Sequence, residues 1–305
     1  MTPSLMPVFY GLFLAVNLSP NPLSETFYYK GVPTPRQIDE WVAQGGSPSF
    51  LIEVENPTAG QVLSLKKLAA AGRLRMESAF YPASGETGRA WRELAEAGAE
   101  FVYLGALAPN AKQVKALNEI SFPRIVFSFT EFPRTEEVAS LRDLKSEFSV
   151  SFNTAKFPAY EHRDMLNALP AKTRLLFVTD YWPWYSHMDV MNLTPHPKRI
   201  RVRGATPSAQ NLEYLANIKN LEEVAMETDF DVSPSLWPQF PPAQIPRLAW
   251  ISKERVPSAK ALSGFSQDAS DGTRRFVLNL DGGLTNAERA RLEGAGIPVE
   301  WIHSK

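Results

Sequence analysis

Prolines recur along this chain at a nearly constant interval, and no other feature of the sequence limits the fold as much. Pro57, Pro82, Pro109, Pro133, Pro158, Pro183, Pro207, Pro234 and Pro257 are separated by 25, 27, 24, 25, 25, 24, 27 and 23 residues. Pro33 or Pro35 extends the series backwards, and Leu284 in GGLTNAER holds the equivalent place at its end. An alternating apolar pair precedes many of these prolines at a fixed offset: Leu74/Met76, Phe101/Tyr103, Ile125/Phe127, Val150/Phe152, Leu175/Phe177 and Ala249/Ile251. Alternation of β-branched and aromatic residues is a strand pattern with one face buried. After the proline the period changes to three, as in Val114/Leu117, Val138/Leu141, Leu212/Leu215 and Leu262/Phe265, which predicts a short helix. Proline suits a helix's first turn, where its missing N–H has no partner to lose. Glycine closes several helices, in Ala71-Gly72, Ala97-Gly98 and Ala295-Gly296.

Each unit therefore reads strand, loop, proline, helix, turn. Candidate strands begin near residues 27, 50, 74, 101, 124, 148, 174, 199, 222, 247, 275 and 298. Every connection is long enough for a crossover, so parallel strands are predicted. With 44% hydrophobic residues in 305, the chain can bury a sizeable core. Residues 23–305 read as a single repeat domain of about eleven βα units, preceded by an apolar N-terminal segment, 1–22. Within that segment Met6–Leu18 is too short for a comfortable membrane span but has the length of a secretory signal's apolar region. No Lys or Arg precedes it, and the alternative is a hydrophobic cap on the open end of an array. Export to a periplasmic or extracellular space is the expectation, with a cytoplasmic location as the alternative. No later segment has membrane length, so no stable span is expected beyond residue 22.

Two α/β architectures use tandem strand–helix units. An open parallel-sheet solenoid, or horseshoe, stacks any number of them, whereas the familiar closed (β/α) barrel uses eight. Twelve candidate strands favour the solenoid. The stretch Asn211–Met226 resembles a leucine-rich repeat: Leu221, Val224 and Met226 match its L-x-x-L-x-L core, and Asp229 stands at the ladder asparagine. The resemblance reaches motif quality only around residues 198–230 and implies a horseshoe with a concave strand face. Elsewhere Phe, Ile and Val replace leucine and the asparagine is missing, so other groups must satisfy the turn backbone. Two features pull in opposite directions. Phe101-Val102-Tyr103-Leu104 and Leu175-Leu176-Phe177-Val178 are apolar on both faces, as barrel strands are. Arg199, Arg201 and Arg203 alternate with Ile200 and Val202, and three neighbouring arginines cannot fill a small barrel unpartnered; Glu223 and Glu227 are available to pair with them.

Composition excludes several function classes. There are 32 basic and 33 acidic residues and no long basic run, so no nucleic-acid partner is expected. The absence of cysteine excludes thiolate metal sites and a cysteine nucleophile. His162, His187, His196 and His303 lack paired-ligand spacing, no phosphate-binding or dinucleotide motif is present, and 268–272 reads as a polar loop, so no metal or cofactor is expected. Carboxylates cluster at strand ends: Glu55, Glu77, Glu131, Asp180, Glu227, Glu254 and Asp281. Most suit helix N-termini, where a negative charge is favourable. Asp180 and Glu227 stand out, one beside aromatics and the other beside arginines, and two such groups at the right separation hydrolyse glycosidic bonds. Tyr181-Trp182-Pro183-Trp184-Tyr185 places four rings in five residues after one strand. Phe80, Phe132, Phe157 and Phe230 hold related places, and Phe80, Phe132 and Phe157 read mainly as packing. The expected function is non-catalytic recognition of a glycan or protein through the inner strand face. Tyr181, Trp182, Trp184, Tyr185, Arg201 and Arg203 would form its binding surface. The alternative is a glycan hydrolase on a barrel, using Asp180 and Glu227.

Overall fold

The apolar pairs form strand centres, and the strands close on themselves. The computed structural model describes residues 23–43, 49–83, 85–240, 245–266, 273–281, 284–296 and 299–304. The apolar segment 1–22 and the polar loop 268–272 lie outside them. The strands are β1 (Leu23–Lys30), β2 (Ser49–Glu53), β3 (Arg73–Ser78), β4 (Glu100–Gly105), β5 (Arg124–Phe129), β6 (Glu147–Ala155), β7 (Arg174–Thr179), β8 (Lys198–Arg203), β9 (Leu221–Thr228), β10 (Leu248–Lys253), β11 (Arg274–Asp281) and β12 (Val299–Ser304). Eleven begin within one residue of the expected positions, and β1 begins four residues earlier. The intervening helices are α1 (Pro35–Ala43), α2 (Ala59–Ala71), α3 (Glu86–Glu96), α4 (Ala111–Ile120), α5 (Thr135–Ala139), α6 (Arg163–Ala168), α7 (Tyr185–Asn192), α8 (Ala209–Ala216), α9 (Ala259–Ser266) and α10 (Asn286–Glu293). A 3-10 segment, Pro234–Gln239, replaces the helix between β9 and β10.

All neighbouring strands are parallel, and β1 pairs with both β2 and β12. That closure overturns the expected horseshoe and open repeat array: the fold is a closed twelve-stranded β/α barrel. Closure depends not on reaching eight strands but on consistent tilt and stagger. Following the register round the ring returns to β1 displaced by about twelve residues. Stagger thus equals strand number, as it does in the eightfold barrel. With strands about 4.8 Å apart and tilted by about 36°, the Cα ring has a radius of about 11 Å, against about 8 Å for eight strands.

That width explains the two-faced strands. One face carries Phe50, Phe101, Phe127, Phe152, Phe177, Trp250 and their neighbours, buried in one continuous core with helix residues such as Leu65, Trp91, Leu117 and Phe265. Each such ring contributes about 1.5–3 kcal/mol by burial. Leu221, Val224 and Met226 of the leucine-rich-repeat-like stretch belong to this layer. The other face points into the barrel, where aliphatic side chains form only two small clusters. One joins Leu51, Val102 and Val126, and the other joins Ala225, Ala249, Ile251, Val277 and Ile302. Aliphatic residues are too short to meet across this width, and arginine–glutamate pairs on neighbouring strands, such as Arg75–Glu100 and Arg201–Glu227, share the interior with them.

The register prolines stand one step earlier than the first helical turn. Pro57, Pro109, Pro133, Pro183, Pro207 and Pro257 each lie two residues before their helix. Proline fixes φ of the entering chain, and the next residue remains free to cap. Asn110 Oδ1 accepts from Gln113 N (3.0 Å), while Gln113 Oε1 accepts from Asn110 N (2.8 Å). Histidine fills the third-position role twice: His162 Nδ1 accepts from Ala159 N (3.0 Å), and His187 Nδ1 accepts from Trp184 N (3.1 Å). Gly98 (φ 92) and Gly296 (φ 70) take the left-handed conformation expected after a helix, whereas Gly72 (φ −175) is extended.

Candidate functional site

The C-terminal ends of the strands surround the mouth of a polar lumen. At one side of it Glu53 ends β2 and Glu77 lies near the end of β3, and the two are direct register partners. Both have inward parity, because Phe50, Ile52, Leu74 and Met76 on the same strands belong to the helix-facing core. Tyr28 Oη donates to Glu53 Oε2 at 2.9 Å, and Lys30 stands 3.9 Å from the same oxygen. Glu77 is 7% exposed and, among the described residues, makes no side-chain hydrogen bond or ion pair. Burial, reinforced by the neighbouring Glu53 charge, pushes its carboxyl from the ordinary 4.5 up to about 7. Two side-by-side carboxyls therefore sit in different surroundings. One holds a proton, and the other faces a hydroxyl donor.

Across the lumen lie the residues expected from the sequence. Arg201 and Glu227 are both buried, with Arg201 Nε donating to Glu227 Oε2 at 2.7 Å. Arg203 Nε donates to Asp180 Oδ1 at 2.7 Å and Arg203 Nη1 to Asn153 Oδ1 at 3.4 Å. Asp180 and Glu227 are therefore held by arginines, which leaves the Glu53–Glu77 side as the carboxyl pair without such partners. Between the two sides β5 and β6 present Ser128, Ser149, Ser151 and Asn153. Among the described residues, their buried Oγ atoms and Asn153 Nδ2 have no hydrogen-bond partner. Buried polar atoms of this kind call for a bound partner, either water or a ligand. Arg75, 2% exposed, lies deeper, 3.6 Å from Glu100, and burial lowers it to about 10, so it is charged at neutral pH.

The aromatic loop divides in two. Trp182 is buried, donates Nε1–H to Ala205 O (3.0 Å) and packs against Phe240. The Tyr181 hydroxyl accepts from Phe157 N (3.3 Å), so both residues seal the loop onto the helix layer. Trp184 and Tyr185, each 63% exposed, stand on the rim, with the Tyr185 ring edge-on to Tyr214 of α8. Phe80, Leu107 and Tyr160 are exposed on neighbouring loops after β3, β4 and β6, so the apolar rim follows the β3–β7 side of the mouth. Phe132 and Phe157 pack inward, as expected of them, and so does Phe230, while Phe80 does not.

Sequence reasoning singled out Asp180 and Glu227 and passed over Glu53. The signal was the strand parity: Glu53 and Glu77 both follow an outward-facing apolar residue, which places them inside any closed sheet. Among the described residues, no group of three metal-ligating side chains comes together, and no helix is long and apolar enough to cross a membrane. The fold and site together define a twelve-stranded parallel β/α barrel with an acidic pair at the mouth of its lumen. Comparison with family models, curated proteins and solved structures finds no match to this chain.

Proposed function

We propose that this protein is a carboxylate-dependent hydrolase acting on a glycan, with Glu77 as general acid and Glu53 as the attacking group. The observation that carries this reading is the register pairing of Glu53 with a buried Glu77 whose proton persists to about pH 7. A buried carboxyl with a raised proton affinity beside a second carboxyl is the arrangement that acid–base hydrolysis requires. Adjacent strands lie about 4.8 Å apart, which suits the shorter carboxyl separation of about 5–5.5 Å used when the second carboxylate attacks directly. Glu53 then forms the covalent bond to the sugar while Glu77 protonates the leaving oxygen. In the second half-reaction Glu77 takes a proton from water, whose oxygen attacks the sugar and breaks its bond to Glu53. Ser128, Ser151 and Asn153 supply hydrogen-bonding groups for hydroxyls inside the lumen, and Trp184 and Tyr185 offer flat faces at its entrance.

The test is a panel of aryl glycosides assayed between pH 4 and 8 with wild type, Glu77→Gln and Glu53→Gln. Turnover should fall on the alkaline side near pH 7, and each variant should lose at least about a hundredfold. A panel without turnover, or turnover untouched by both substitutions, removes the proposal. The exposed Trp184 and Tyr185 favour one second reading, non-catalytic recognition of a glycan or protein at the rim. In that case binding survives Glu77→Gln and is lost with Trp184→Ala.

A further inference from the structure

The opposite end of the barrel carries a second charged site. A cleft of about 600 Å³ opens there beside the entries to β7–β10, lined by Lys172, Arg174, Asn220, Glu222 and Arg247 among others. Three guanidiniums converge on a single carboxylate oxygen in its wall. Glu222 Oε2 is 3.5 Å from Arg199 Nε, 3.7 Å from Arg247 Nη2 and 3.9 Å from Arg174 Nε. None of these contacts is a hydrogen bond, and Glu222 Oε2 is buried without a hydrogen-bond partner. Among the described residues, Arg174, Arg199 and Arg247 donate no side-chain hydrogen bond at all. The other nearby carboxylate, Glu223, is committed to Arg275 at 3.0 Å and only 4.0 Å from Arg247. Three arginines thus share the Glu222 charge, Arg199 also feels Glu223, and the side chains of Arg174 and Arg247 are half exposed to the cleft.

We propose that this N-terminal cleft binds the phosphate group of a small phosphorylated molecule. Arg174 and Arg247 present planar forks that match a tetrahedral oxyanion, and Lys172 adds a point charge. Arg199, 13% exposed, is positioned to hold Glu222 back against the wall rather than to touch the ligand. The cleft's volume falls within the range of small-ligand sites, so it accommodates more than a bare ion. The site is separate from the carboxyl pair, since it lies at the other end of the strands.

Calorimetric titration of the full chain with inorganic phosphate and phenyl phosphate at low ionic strength tests the idea. Saturable binding is expected, weakened about tenfold by Arg174→Gln or Arg247→Gln and about a hundredfold by both. Melting temperatures of the variants should stay near that of the wild type, because both side chains are half exposed. The proposal is overturned by no saturable heat up to about 10 mM ligand, by unchanged binding in the double variant, or by equal competition from chloride. It is also overturned if Arg203→Gln, at the mouth, removes the heat while the cleft variants keep it.

Discussion

Replacing Glu77 by glutamine should make the protein more stable above neutral pH and leave it nearly unchanged in mild acid. Glu77 is 7% exposed, and its carboxyl is raised from 4.5 to about 7 by burial and by Glu53. The folded state therefore retains a proton that the unfolded chain releases at 4.5. The resulting stability is fully present below about pH 4.5 and is lost as pH rises through about 7. At 1.36 kcal/mol per pH unit, the wild type loses about 3 kcal/mol across that window. Glutamine has nearly the shape of the protonated acid and no proton to lose, so the variant escapes the loss. The difference between variant and wild type should grow from near zero at pH 4.5 to about 3 kcal/mol at pH 8. At about 2–4 °C per kcal/mol, the melting temperature rises by about 6–12 °C. Urea unfolding of both proteins at intervals of pH measures this directly, and subtraction cancels titrations they share. A difference that stays flat between pH 4.5 and 8 would refute the reasoning, because Glu77 would then ionise alike in both states. A difference that grows towards low pH would mean that a cationic partner holds the carboxylate.

Other perturbations separate support from function. Arg201→Met leaves Glu227 buried without its 2.7 Å donor and should cost about 3–5 kcal/mol in denaturant unfolding; a loss below about 1 kcal/mol would mean that water replaces the arginine. Trp182→Ala removes a buried ring and its bond to Ala205, at about 3–5 kcal/mol, whereas Trp184→Ala should stay within about 0.5 kcal/mol. Equal melting temperatures for the two would contradict the division of the loop. Burial lowers His187 and His196 below 6.5, so their contribution is present above pH 6.5 and is lost as pH falls through the lowered values. His187→Gln and His196→Gln should each flatten the acid limb of a stability-against-pH curve, and an unchanged limb would assign the acid loss to other groups.

Strand positions were legible because many strands carry their own local signal, an apolar alternation at a fixed distance from a proline, and the proline interval places the rest. Closure was not, because no local pattern states whether a first strand meets a last one. The pairing of Leu23 with Val299 depends on tilt accumulated over every unit between them. The evidence for a lumen was nonetheless present in the doubly apolar strands. The arginines at 199, 201 and 203 argued against a narrow barrel and are accommodated in a wide one, through Glu222, Glu227 and Asp180. Function was harder to read. Asp180 and Glu227 attracted notice by their neighbours, yet those neighbours are the arginines that hold them. Glu77 gives no such sign in the sequence, since its isolation and burial are properties of the assembled ring.

The seam between β1 and β12 also sets an order of events during synthesis. At about 5–20 residues per second, the ribosome needs roughly 15–60 s to make a chain of this length. For nearly all of that time a growing sheet displays two unpaired edges, each able to recruit a strand from a neighbouring nascent chain. The twelfth strand removes both edges at once. A message truncated just before it would yield a protein almost complete in sequence and still open to polymerisation through its edges.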